Sequence, residues 1–186
     1  SLINNTTGSN NVAIGYGALT TNTIGNNNTI VGLNSLYYNT TGSSNTAVGR
    51  SALQSNTIGT NNSAFGYRSL YSNTSGNYNT AVGYQALKSN TISLYNSAFG
   101  VNALLFNTTG SYNSGFGYAA LRANTIGQKN SAFGNYALNS NTTSNNSAFG
   151  YKALTANTTG AFNVAVGYIS LQSNTRGSYN TAVGYN

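Results

Sequence analysis

The sequence predicts an all-β chain folded as a parallel β-solenoid, a β-roll of eleven 17-residue coils. Three observations predict it. The stretch Asn45 to Asn61, N-T-A-V-G-R-S-A-L-Q-S-N-T-I-G-T-N, returns along the chain at a spacing of 17 residues. Its apolar residues alternate at a period of two and nowhere recur at helical spacing. Gly and Asn hold fixed phases in the repeat, as turns between short strands require. A period of this length signals stacked units, none of which can fold alone.

The repeat opens on an Asn at 11, 28, 45, 62, 79, 96, 113, 130, 146, 163 and 180. All steps are 17 except that from 130 to 146, where one residue is missing; the expectation places the gap near Ser144 and Asn145. After the opening Asn, N-T-A-V-G reads as a strand, with Thr46 and Val48 on one side and Ala47 on the other. The large residue before the Gly (Ile14, Val48, Phe65, Val82, Phe116) is expected in the interior, and so is the Leu column through Leu53 and Leu87, with Ala on the narrow side. Two Gly columns, Gly49 and Gly83 in the first and Gly59 in the second, are expected to turn the chain with positive φ. Ser93 and Ser144 stand in for the second Gly. Each coil is then expected to hold two or three strands of three to five residues. Coils stack about 4.8 Å apart, so eleven make a rod on the order of 50 Å long.

Stacking places like on like. Asn45 and Asn79 belong to one Asn column, and Asn56 and Asn90 to a second. At these corners each amide can bond the one above and the one below. Thr57 and Thr91 follow the second column. Tyr16, Tyr67, Tyr84, Tyr118, Tyr151, Tyr168 and Tyr185 follow the first Gly. Arg50 and Asn135 take the same place, so this column is expected outside the core. The structural ladders are therefore Asn45, Val48, Gly49, Leu53, Asn56, Thr57 and Gly59 with their equivalents, including Asn79, Val82, Gly83, Leu87, Asn90 and Thr91.

No composition shift or linker interrupts the array, so residues 1–186 are expected to form one domain. Met is absent even at the start, and the last residues are in phase to continue into the first. Both features lead us to expect a segment of a longer chain or filament. The strict phase argues against the disorder that a chain rich in Asn, Ser, Thr and Gly would otherwise suggest.

The chain carries seven Lys and Arg and no Asp, Glu, His or Cys. The seven cations, Arg50, Arg68, Lys88, Arg122, Lys129, Lys152 and Arg176, fall at five phases of the repeat and form no stripe. Specific nucleic-acid binding is therefore not expected. No apolar run is long enough to span a membrane, and no membrane insertion is expected. General acid–base catalysis has only Tyr, Lys and the termini to draw on, and no carboxylate pair, triad or metal cluster can be assembled. The G-x-x-x-x-G stretches lack the Lys of a phosphate loop. No enzyme activity, cofactor, catalytic residue or metal site is expected.

The motif N-[ST]-A-[VF]-G, followed by A-L and N-T-x-G, resembles the head repeats of YadA-like trimeric adhesins. It is closer to the N-T-A-V-G-Y-x-A-L repeats of phage and bacterial tail-fibre proteins. Asn79-Thr80-Ala81-Val82-Gly83-Tyr84-Gln85-Ala86-Leu87 and Asn180 to Gly184 carry the likeness, which covers essentially the whole chain. The resemblance implies a left-handed parallel β-roll, often trimeric, in an extracellular fibre.

The function expected is structural: a fibre- or filament-forming repeat protein, adhesin-like or a tail-fibre shaft, acting by stacking and self-assembly. The partner expected is the chain itself, as a trimer, a head-to-tail filament, or both. The expected location is extracellular: a cell-surface fibre, a secreted filament or a virion tail fibre. The alternative is a monomeric solenoid that binds ice through its Thr column (Thr6, Thr23, Thr40 to Thr175) or a cell-surface glycan through its Asn/Tyr face. Sequons such as Asn39-Thr40-Thr41 and Asn107-Thr108-Thr109 come with the repeat.

Overall fold

A computed structural model describes all 186 residues, and it contains no helix. Every coil contributes one three-residue strand: β1 (Val12–Ile14), β2 (Thr29–Val31), β3 (Thr46–Val48), β4 (Ser63–Phe65), β5 (Thr80–Val82), β6 (Ser97–Phe99), β7 (Ser114–Phe116), β8 (Ser131–Phe133), β9 (Ser147–Phe149), β10 (Val164–Val166) and β11 (Thr181–Val183). These pair in parallel, in chain order, as one 11-stranded sheet. The register never slips: Thr46 lies beside Ser63, Ala47 beside Ala64 and Val48 beside Phe65. The chain is a β-solenoid with one 17-residue motif per coil.

The expectation of two or three strands per coil is corrected to one. The rest of each coil is turn, yet it stacks just as tightly. Of 119 backbone hydrogen bonds, 99 lie outside the sheet ladder, so coils bond around their whole circumference. Leu53 N donates to Ser69 O at 3.0 Å and Thr57 N to Thr74 O at 2.9 Å.

The interior is built from Leu, two Ala columns and two Asn columns. Ala86 and Leu87 are consecutive, and both are fully buried. An extended strand would send one of them outward. Here Gln85 (φ 56°) and Leu87 (φ 50°) adopt left-handed conformations, and the backbone folds so that both side chains enter the lumen. The same geometry recurs at the other column Leu residues, from Leu2 (φ 53°) to Leu171 (φ 50°). An unbranched Cβ suits this conformation better than Val or Ile would.

The Val/Phe column is on the outside, contrary to expectation. Ala47 is fully buried, whereas Phe65 is 40% exposed and Phe133 37% exposed. The lumen of a 17-residue coil is narrow, and Leu and the Asn amides already fill it. At Gly115, which replaces Ala in its coil, the wall has room for a methyl in ordinary contact. A Cβ built there would meet Leu104 Cγ and Cδ1 at 3.4 Å. The lumen wall takes a methyl in most coils, so there the strand turns its larger residue outward; only β2 seats a larger residue, Ile30, inside, where it is fully buried.

The two Gly columns have different causes. Gly49 has φ 128°, and a Cβ there would lie 2.7 Å from Gly66 O in the next coil. Gly59 has no positive φ, which corrects the expectation for the second column. It is Gly because a Cβ would collide with the Asn56 Oδ1 and Gly76 O atoms beside it.

Candidate functional site

The Asn columns connect the coils internally. Asn56 Nδ2 donates to Asn39 Oδ1 at 2.9 Å and to Gly59 O at 3.0 Å. Asn62 Nδ2 donates to Asn45 Oδ1 at 3.2 Å and to Gly76 O at 2.8 Å. Asn79 and Asn90 repeat these roles: Asn79 N bonds Asn62 Oδ1 at 3.0 Å, and Asn90 Nδ2 bonds Asn73 Oδ1 at 2.9 Å. All are fully buried, so each ladder satisfies amides that would otherwise be costly in the interior.

The ladder of the second column breaks once. Asn124 receives no bond from Asn141, whose Nδ2 turns to Thr143 O at 2.8 Å. Thr143 O also accepts from Asn130 Nδ2, the role that Gly O plays in other coils. Ser144 Oγ accepts from Gln128 N at 2.9 Å, as Ser43 Oγ does from Asn26 N. Thr143 therefore takes the place of the second Gly and Ser144 the place after it. The missing residue falls between Thr142 and Thr143, a correction of the expected position. Ser93, the other substitute, bonds Asn90 Oδ1 through its hydroxyl.

The Thr column is less available to water than the sequence suggested. Thr57 Oγ1 donates to Thr74 O at 3.1 Å and Thr91 Oγ1 to Thr108 O at 3.1 Å. Along the column most hydroxyl protons are committed in this way to the neighbouring coil.

Aromatic residues stack along the axis on three outer columns. After the first Gly, Tyr67 and Tyr84 lie 5.4 Å apart, and Tyr168 and Tyr185 5.1 Å. At the end of the coil, Tyr78, Tyr95 and Tyr112 stack at 5.0 and 5.2 Å. On the sheet face Phe99, Phe116, Phe133 and Phe149 stack at 4.7, 4.6 and 5.1 Å, with interplanar angles of 6–7°. The rings cover one another's faces and offer their edges outward. Four cations rest on aromatic rings: Arg50 on Tyr67 at 5.9 Å, Arg68 on Tyr67 at 5.2 Å, Arg122 on Phe106 at 4.9 Å and Lys152 on Tyr151 at 5.3 Å.

One cleft of about 400 Å³ opens near the first coils, lined by Tyr16, Tyr37, Tyr38, Asn34, Gln54 and Thr20, among others. Thr20 is 9% exposed, and its hydroxyl has no hydrogen-bond partner.

The outward Phe ladder was not found by sequence reasoning, although the chain carried a signal for it. Wherever the strand has Phe, the residue two before it is Ser; wherever it has Val, that residue is Thr or, once, Val. No helix is long and apolar enough to cross a membrane. No family model, curated protein or solved structure matches this chain.

Proposed function

We infer that this chain is a structural element of an extracellular fibre, working by coil stacking and self-association rather than by chemistry. The observation that carries this reading is the unbroken parallel register from β1 to β11, in which every coil offers the next the same backbone ladder. A ladder that repeats without change from coil to coil suits extension by further copies, and a head-to-tail contact that does not close gives a filament. The lack of Asp, Glu, His and Cys supports the same reading. The test is electron microscopy of the purified protein. Filaments with an axial repeat of about 4.8 Å are expected. Isolated short rods at every concentration would overturn it.

Glycan binding is the second reading, and the cleft around Thr20 favours it. Three Tyr and two amides suit a neutral sugar. Titration with simple saccharides, comparing the native chain with Tyr37→Ala, checks it. Equal response of the two proteins would remove this reading.

A further inference from the structure

The outer face of the sheet is an uncharged strip with no covering layer, a Ser/Thr column beside a Val/Phe column. The second residue of each coil (Thr46, Ser63, Ser114) and the fourth (Val48, Phe65, Phe116) point away from the lumen. None of the seven cations lies in either column. Eleven coils at about 4.8 Å give a strip of roughly 50 Å. With three-residue strands about 10 Å across, it offers on the order of 500 Å² per partner, about the 1,000 Å² in total that a specific interface needs. An uncharged face provides nothing to attract an anionic polymer. Charge depletion and aromatic enrichment are instead the marks of an interface centre.

The two columns vary together. Thr29 goes with Val31, Thr46 with Val48 and Thr80 with Val82; Ser63 goes with Phe65, Ser97 with Phe99, Ser114 with Phe116, Ser131 with Phe133 and Ser147 with Phe149. In nine of the eleven coils Ser accompanies Phe or Thr accompanies Val; β1 (Val12, Ile14) and β10 (Val164, Val166) are the exceptions. Compensation of volume belongs to close-packed contacts; a face that met only water would have no use for it.

Symmetry says which contact would need it. Let two copies meet face to face, related by a two-fold axis parallel to the rods. Each coil then faces the same coil of its partner, and the axis exchanges the columns. Phe116 lies opposite the partner's Ser114, and Val48 opposite the partner's Thr46. The gap stays even along the rod only if the second and fourth residues of one coil compensate, as they do from β2 to β9 and in β11. A two-fold axis along the strands would instead run the rods antiparallel and set Phe columns against Phe columns, where this pairing has no purpose.

The geometry points to a second copy of this chain as the occupant of the strip, docked face to face, parallel and in register. This deepens the fibre reading by naming the lateral contact, which is separate from the end-to-end one. Ile24, Ile58, Ile92 and Ile126 are also exposed, by 49–63%, but they lie on alternate coils outside the sheet and form no continuous strip.

The test counts rods across each particle in electron-microscopic class averages, for the native chain and three variants. The native protein is expected to show two rods side by side. Phe116→Lys/Phe133→Lys should show one, with an unchanged circular dichroism spectrum. Ser114→Lys/Ser131→Lys should do the same while leaving the Phe stack intact, so it decides the matter if the Phe variant fails to fold. Ile92→Lys/Ile126→Lys adds the same charge elsewhere and should keep two rods. Single or triple rods in the native protein would overturn the pairing, as would pairs that survive the Ser variant or are lost in the Ile variant. The chain has no Cys, so spin labels at Thr29→Cys and, separately, Thr181→Cys report direction. Parallel rods give short label-to-label distances at both ends, whereas antiparallel rods give about 40 Å or more and would refute the register. Long filaments one rod wide would sink this inference and leave the fibre reading standing; short paired rods would do the reverse.

Discussion

Asn73 donates its side-chain amide to Asn56 Oδ1 at 2.8 Å across the coil boundary, and both residues are fully buried. The same Nδ2 reaches Gly76 O at 3.0 Å, and Oδ1 accepts from Asn90 at 2.9 Å. Asn73→Ala leaves several of these partners unpaired in the interior. At about 1–3 kcal/mol for each stranded group, a loss of roughly 2–4 kcal/mol is expected in urea unfolding. Asn73→Asp adds a pH signature. Burial raises the carboxyl pKa, and the protonated acid retains one donor. The variant should be most stable below the unfolded carboxyl value of about 4 and weaken as pH rises through the folded value. A pH-independent deficit would contradict this account.

Two Gly-to-Ala changes should have opposite signs. In Gly115→Ala the new methyl meets Leu104 at 3.4 Å, an ordinary contact, and φ is not positive. A gain of about 0.5–1 kcal/mol is expected. In Gly59→Ala the methyl meets Asn56 Oδ1 and Gly76 O at under 3.0 Å, so the coil must open. Thermal melts of the pair check the ordering; two losses would mean that the lumen is already full at residue 115.

Legibility divided along physical lines. The stacking axis, the Leu column and the Asn columns were readable because a solenoid sets each residue above its equivalent, and a period of 17 needs no energy calculation. The side on which Val48 and Phe116 lie was not. Alternation separates Ala47 from Val48 without saying which faces in, and the preference of large apolar residues for interiors gave the wrong answer. What decides is lumen width, a property of the closed coil. The role of Gly59 was hidden for a similar reason, since its constraint comes from atoms of the next coil. At Thr143 and Ser144 the letters align equally well in two ways, and only the hydrogen bonds choose between them.

The contrast between lumen and face is measurable. Leu87→Ala removes a fully buried side chain and should cost about 2–5 kcal/mol. Phe116→Val installs the residue that other coils carry at that place, so the isolated rod should lose less than about 1.5 kcal/mol. If Phe116→Val proved the more damaging in urea titration, the assignment of inside and outside would be reversed.

The chain has no carboxylate or imidazole side chain, so folding stability should be nearly flat between about pH 4.5 and 8.5. Change begins with the phenols. Burial, chiefly, and then neighbouring Tyr118 raise the Tyr136 phenol above its ordinary value, with Tyr151 adding and Lys152 opposing. The folded state prefers the neutral phenol. The associated stability is present below the ordinary phenol value and is lost as pH rises through the raised one. Melting temperature against pH should therefore show a plateau and an alkaline fall, and Tyr136→Phe should soften the fall.

The break between Asn124 and Asn141 is the place where the stack should open first. One residue too few pulls Thr143 into the second Gly place, and Asn141 Nδ2 turns to Thr143 O. Neighbouring coils keep their bond: Asn124 still reaches Asn107 Oδ1 at 3.0 Å and Asn157 reaches Asn141 Oδ1 at 2.8 Å. Stability in such an array is a sum of coil terms and contacts between neighbouring coils, so one weak contact lowers the cost of opening there without unfolding the rest. Backbone amides at 141–146 should exchange with deuterium faster than the matching amides at 73–79. Inserting Thr between Thr142 and Thr143, together with Thr143→Gly, restores the 17-residue spacing and the N-T-x-G ending. The insertion should rejoin the Asn ladder, add about 0.5–1.5 kcal/mol for the regained hydrogen bond and erase the local difference in exchange. If exchange at 141–146 is already as slow as elsewhere in the native chain, the break carries no cost and the two ladders are independent of each other.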